Sequence, residues 1–140
     1  MIVEKLKKED IEKYKMLIDE AFDGSNSVEE YNKYNENSNS YEIVVLKEQQ
    51  EIVATVTMYK INLFTFSFQP VIELFNVAVK KEYRRMNLGK ILMDYVVDYA
   101  KTNGYKQINL TCLESEKGVH DFYENVGFTK AESRKYTMHV

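Results

Sequence analysis

Between positions 80 and 90 the sequence places Lys80, Lys81, Arg84, Arg85 and Lys90, five cations within eleven residues, in a chain of 140 residues with a formal net charge of -3. Asn87 and Gly89 sit inside this run, and from Leu88 onward apolar residues recur at helical spacing. Such a stretch predicts an anion site. The first amides of a helix have no intrahelical acceptor, and with the positive end of the helix dipole they favour phosphate oxygens. Arg84, Arg85 and Lys90 could add charge-assisted hydrogen bonds, and Gly89 would let a ligand approach the backbone without a Cβ in the way. Asn87 tolerates left-handed backbone angles and caps helices well, so it can end the loop and begin the helix. A pyrophosphate suits this geometry, although a charge run is also the ordinary composition of a solvated turn.

Other chemistries are less well served. The solitary Cys112 cannot form an internal disulfide, and two histidines with one cysteine at no ligand spacing give no zinc set. Cys112 falls in an alternating apolar stretch with no histidine placed by sequence to activate it, so it reads as a small hydrophobe rather than a nucleophile. His120 and Asp121 receive no role. The acidic balance argues against nucleic acid as a partner. With 44% hydrophobic and 29% charged residues, and no apolar run near the roughly 20 needed to cross a bilayer, the composition is that of a globular domain without a membrane span. The opening MIVEKLKKED lacks the apolar core of a secretory signal, and the expectation is a cytoplasmic protein.

The elements that must position these residues follow from periodicity. Length and the absence of a linker or repeat predict one domain over 1–140. Ile2 to Leu6 can form a short edge strand, and EDIEKYKMLIDEAF puts Ile11, Tyr14, Ile18, Ala21 and Phe22 on one helical face. Ser27 and Glu30 form a capping-box pattern for a second helix running to about Asn37. YEIVVLKE and IVATVTMYKI read as a hairpin, and a third long strand runs from about Val71 to Val79. Between these, Phe64, Phe66 and Phe68 alternate as on a buried strand face, with an acceptor-pocket or dimer role as the minority reading. Leu88, Ile91, Leu92, Tyr95, Val96, Tyr99 and Ala100 mark a helix that stops at Asn103-Gly104. A strand from Lys106 to Cys112 completes a βαβ crossover. Val119, Phe122, Tyr123 and Val126 define a last short helix closed by Gly127, and a strand pair follows from Phe128. The fold class expected is α/β (α+β): a mixed sheet of six to seven strands flanked by about four helices.

YRRMNLG resembles the acyl-CoA pyrophosphate loop of the GNAT superfamily, whose pattern is Gln/Arg-x-x-Gly-x-Gly/Ala. Arg84 and Gly89 match it, and Asn87 replaces its first glycine. Downstream, GVHDFYENVGF is similar to the family's second signature, with Tyr123, Gly127 and Phe128 in register. The resemblance spans about Glu73 to Phe128 and implies an N-acetyltransferase that uses acetyl-CoA as cosubstrate.

It implies, further, that the strands ending near Val79 and Cys112 splay apart and admit the pantetheine arm. Asn76, Val77, Ala78 and Val79 would then line that arm, and Arg84, Arg85, Met86, Asn87, Leu88, Gly89 and Lys90 would hold the pyrophosphate. An amide of Asn76 or Val77 would face the thioester oxygen, and Tyr123 would act as general acid to the departing sulfur in a direct transfer. Glu73, placed on one strand face with Phe75 and Val77, is a candidate base; an edge carboxylate is an equal reading. The acceptor is a primary amine of a small molecule, with amino sugars and polyamines among the candidates, or of a peptide. Residues 22–28 and 62–69 are expected to line its pocket. Two-fold association is expected by resemblance only. A non-catalytic module that binds or senses acyl-CoA is the alternative.

Overall fold

The computed structural model describes residues 1–36 and 39–140. In chain order its elements are β1 (Ile2–Lys5), α1 (Ile11–Phe22), α2 (Val28–Glu36), β2 (Tyr41–Glu48), β3 (Glu51–Asn62), β4 (Pro70–Val79), α3 (Leu88–Thr102), β5 (Gln107–Asn109) and α4 (Lys117–Asn125). The five strands form one sheet in the order β1-β2-β3-β4-β5, antiparallel throughout except for the parallel β4–β5 pair that α3 connects.

The β2–β3 hairpin turns on Gln49 and Gln50, both left-handed at φ 50° and 70°. That handedness matches the twist of the flanking strands. Both strands are covered on both sides, which is why each reads as a nearly continuous apolar run. Leu88, Leu92, Met93, Val96 and Ala100 of α3 pack on one face with Val44, Leu46, Val56, Met58, Ile72 and Leu74. On the other face Ile11, Tyr14, Leu17 and Ile18 of α1 pack with Ile43, Val45 and Ile52. The capping box forms as expected: Glu30 N–H donates to Ser27 Oγ at 3.3 Å, and Ser27 N–H donates to Glu30 Oε1 at 3.4 Å. The expected helix end at Asn37 lies outside the described residues.

Several expectations are corrected. Ala21 and Phe22 are exposed while Leu17 is buried. The helix itself stops at Asp23, where Asp23-Gly24 predicts its end, with Asp23 left-handed at φ 51°. Phe64 and Phe68 are not a buried strand face; they are 75% and 71% exposed around a 3-10 turn and touch each other edge to face. Among the described residues the sheet has five strands, not six or seven. The strand expected from Lys106 to Cys112 is only Gln107–Asn109, because β4 supplies ladder partners no further than Glu73. Nor does the final strand pair form: residues 129–140 carry no strand and all are exposed.

The core placement can be checked directly. Leu92→Ala is expected to cost about 2–5 kcal/mol in urea unfolding, as a fully buried leucine replaced by a cavity, whereas Phe64→Ser should stay within about 0.5 kcal/mol.

Candidate active site

The site begins with a fault in β4. Thr55 pairs with Ala78 and Thr57 with Phe75, so Asn76 and Val77 together oppose the single residue Val56. This is a β-bulge, and Asn76 adopts φ 54°, a left-handed angle that asparagine tolerates better than most residues. Such a bulge takes backbone groups out of the ladder and re-aims them. It also breaks the strand's alternation. Phe75 and Ala78 share one face, while Val77 and Val79 pack toward the α3 side. The expected grouping of Glu73, Phe75 and Val77 on one face is therefore corrected for Val77.

Pairing between β4 and β5 stops at Glu73 and Asn109, whereas β4 itself continues to Val79. Beyond that point the two chains part, and the expected opening lies between them. The cationic loop follows the end of β4. Arg84 is extended and its Nε–H donates to the Val79 carbonyl at 3.3 Å, while Arg85 and Asn87 are left-handed at φ 64° and 62°. The first helical bond of α3 comes from Ile91 N–H to the Asn87 carbonyl, which leaves the amides of Leu88, Gly89 and Lys90 without intrahelical acceptors. Two of the five cations are engaged, Lys80 with Glu51 at 3.2 Å and Lys90 with Asp94 at 2.8 Å. Lys81, Arg84 and Arg85 have no carboxylate partner among the described residues. Met86, also counted in the loop, is exposed.

Gly89 has a reason the sequence did not disclose. A Cβ at this position would lie 2.8 Å from Phe122 Cζ and 3.2 Å from Cε2. The missing side chain lets the α4 ring rest on the first turn of α3, so this glycine joins the loop to the helix that carries Tyr123.

Tyr123 is 9% exposed and stacked between Phe122 and Phe128, with centroids 5.1 and 5.6 Å away. Burial, and secondarily the Cys112 thiol, push its hydroxyl up to about 12. It is a firmly protonated phenol in neutral solution. Cys112 departs from its sequence reading: it is exposed, lies outside any strand, and its Sγ is 3.4 Å from His120 Nδ1. His120 Nε2 lies 3.0 Å from the Glu114 carbonyl oxygen. A carbonyl can only accept, so in the neutral imidazole Nε2 holds the proton and Nδ1 faces the thiol as acceptor. A histidine is thus within reach of Cys112, contrary to expectation, through a turn of α4 that the spacing did not advertise. Partial shielding from water, then the Glu114 and Glu116 carboxylates, push the thiol up rather than down. This opposes formation of a reactive thiolate.

Glu73 stands in one row across the sheet with Tyr41, Tyr59 and Asn109. Its Oε1 accepts from Asn109 Nδ2 at 3.1 Å. A cavity of about 520 Å³ opens beside it, lined by Tyr59, Ile61, Glu73, Phe75 and Asn76. Residues 22–28 and 62–69 are not among those lining this cavity. Tyr59, Ile61 and Phe75 were missed because one strand's sequence does not reveal which part of the face it shares with its neighbour stays open. Phe75 is half exposed and meets the Tyr59 ring edge to face at 5.2 Å.

The sequence model of the GNAT acetyltransferase family matches residues 8–128. The chain belongs to the GNAT acetyltransferase family. Among curated GNAT proteins it is similar to the ribosomal protein bS18-alanine N-acetyltransferase of Salmonella typhimurium, at 32% identity over 62 residues. That alignment covers 44% of this chain and 42% of the relative, so the chain aligns with about two fifths of the length of the curated relatives it matches. Among solved structures, glucosamine-6-phosphate N-acetyltransferase from Arabidopsis thaliana superposes with a TM-score of 0.85 at 23% identity, covering 98% of this chain and 97% of the other. Ribosomal-protein-alanine N-acetyltransferase from Brucella melitensis biovar Abortus 2308 gives 0.86 at 14%, covering 100% of both. At these identities the likeness establishes the fold. No helix among the described residues is long and apolar enough to cross a membrane.

In this GNAT chain the Gly89–Phe122 contact makes a specific prediction. Gly89→Ala, ordinarily favourable in a helix, is expected instead to destabilise by about 1–3 kcal/mol through overpacking, and Phe122→Leu in the same chain should recover part of the loss in thermal unfolding.

Proposed function

We propose that the protein transfers the acetyl group of acetyl-CoA directly to a primary amine, with Tyr123 as general acid. The end of β4–β5 pairing at Glu73, just before the Asn76 bulge, carries this reading, because an acyl-CoA arm laid between the parted chains would run from the cationic loop to the aromatic-lined cavity. Lys81, Arg84, Arg85 and the first amides of α3 fit a pyrophosphate. Backbone groups of Asn76, Val77 and Val79 fit an extended amide-bearing arm laid along β4, and an amide at the bulge fits the thioester oxygen, where it would stabilise the developing oxyanion.

The chemistry balances with the groups present. The amine nitrogen, once deprotonated, forms a bond to the acetyl carbon; the C–S bond of the resulting tetrahedral species breaks and the leaving sulfur takes the Tyr123 proton; the proton that the nitrogen sheds on becoming an amide restores the phenol. A phenol held near 12 keeps that proton throughout the neutral range, and the leaving thiolate is the one strong base generated beside it. Glu73, fixed by Asn109 at the cavity wall, is placed to draw the ammonium and to take its proton through water. Tyr59, Ile61 and Phe75 favour an amine with an apolar or aromatic flank over one clothed in hydroxyls.

Calorimetric titration with acetyl-CoA is the first test. Native protein should bind it and Arg84→Ala/Arg85→Ala should bind at least about tenfold more weakly at low salt, a gap that narrows as salt is raised; no binding by the native chain would end this reading. Tyr123→Phe should lower kcat by about 10²-fold with little change in KM for acetyl-CoA; unchanged turnover would remove Tyr123 as the acid, and a native chain from which no amine stimulates release of CoA thiol would instead favour a site that only holds acyl-CoA. The raised Tyr123 value also predicts no alkaline loss of kcat from this group below about pH 10. Cys112→Ser should retain turnover to within about threefold. An acetylated Cys112 in the native protein, with loss beyond about a hundredfold in the variant, would establish an acyl-enzyme in place of direct transfer.

A further inference from the structure

The cavity beside β4 carries its charge at one place. Glu73 is the one acidic residue among the five that line it, and none of the five is basic. Ile61 leads from this cavity into a longer uncharged stretch. From Ile61 to Ile72 the chain has no Asp, Glu, Lys, Arg or His, and these residues form the far end of the β3–β4 hairpin. Lys60, which precedes them, alternates to the opposite face, where it pairs with Glu42 at 3.3 Å and lies 5.7 Å from the centre of the Tyr99 ring.

The paired strands end at Asn62 and Pro70, and the turn between them carries Phe64 and Phe68, both exposed and in contact with each other. Phe64 follows Ile61 by three residues, so its backbone stands within about 11 Å of the cavity wall. Single exposed apolar residues are ordinary on a protein surface. A touching pair of phenylalanines that continues an aromatic-walled cavity is instead a patch suited to an apolar ligand.

An amine that brings its nitrogen to Glu73 and extends along this strip meets an anion first and uncharged surface thereafter. From Tyr59, the cross-strand partner of Glu73, to Asn62 the strand rises about 10 Å, and Phe64 adds at most about 7 Å. An extended chain advances about 3.4 Å over three bonds, which makes the strip about nine to fifteen bonds long. A second ammonium would find no carboxylate between residues 61 and 72. A peptide would press its N–H and C=O groups against rings and hydrocarbon that cannot bond them.

We propose that the preferred acceptor is a primary amine on a long unbranched hydrocarbon chain, with its nitrogen at Glu73 and its chain running over Tyr59, Ile61 and Phe75 to Phe64 and Phe68. The inference rests on the acetyl-transfer reading and supplies the acceptor class for it. Charge complementarity selects this occupant, because an amine with one cationic head and an apolar tail repeats the distribution of charge along the strip.

Release of CoA thiol from acetyl-CoA, measured with n-alkylamines from butylamine to dodecylamine, tests it. Because an open strip covers about half of each methylene, kcat/KM should rise about twofold per added methylene and level off once the chain passes Phe64. Octylamine should exceed 1,8-diaminooctane, equal in length but charged at both ends, by at least about tenfold. Phe64→Ser/Phe68→Ser, at exposed positions, should lower the ratio of dodecylamine to butylamine activity at least about tenfold. Turnover of butylamine with no gain along the series overturns this inference and leaves acetyl transfer standing. So does a diamine used as well as octylamine, or an apolar tetrapeptide amide used better than dodecylamine. A double variant that keeps the ratio and dissociates a dimer also overturns it, and assigns the two phenylalanines to contact between copies. No turnover of any amine by a chain that binds acetyl-CoA overturns both readings.

Discussion

One extra residue in one strand organises the functional half of this protein. The bulge at Asn76 lets β4 remain in register with β3 at both ends while releasing it from β5 after Glu73. Residues 110–112, past the last β4–β5 pair, carry no strand, and Asn76 stands just beyond that point on β4. Asparagine sustains the left-handed angle there at modest cost, so a local conformational tolerance becomes a global opening.

The elements around the opening are tied together by contacts that serve packing and site at once. Gly89 belongs to the cationic turn, yet what excludes a side chain there is the Phe122 ring. Phe122 in turn leans on Tyr123, and Tyr123 on Phe128. The loop, the phenol and the helix that carries it are therefore positioned as a unit. The same burial that fixes Tyr123 raises its hydroxyl, so the constraint that holds the side chain also keeps its proton available. Cys112 and His120 sit nearby in a geometry that could serve a nucleophile, but the carboxylates of Glu114 and Glu116 work against a thiolate. Proximity is not activation.

Local chemistry was legible in the sequence alone. The helical spacing from Leu88 to Ala100, the β-branched hairpin strands, the Ser27/Glu30 capping box and the cationic run before Gly89 each depend on residues close in the chain, and each stands where its pattern put it. So does Tyr123, through the FYE and GF signature. Tertiary structure alone decided which faces stay uncovered: Phe75, Tyr59 and Ile61 became cavity walls because the part of the sheet face they share stays open although α1 packs on both β3 and β4, and Phe64 and Phe68 are exposed although their alternation reads as buried. It also decided that Cys112 meets His120 and that β5 ends at Asn109. Strand length is a property of having a partner, and partners are set by register across the sheet, which the order of residues within a single strand does not encode.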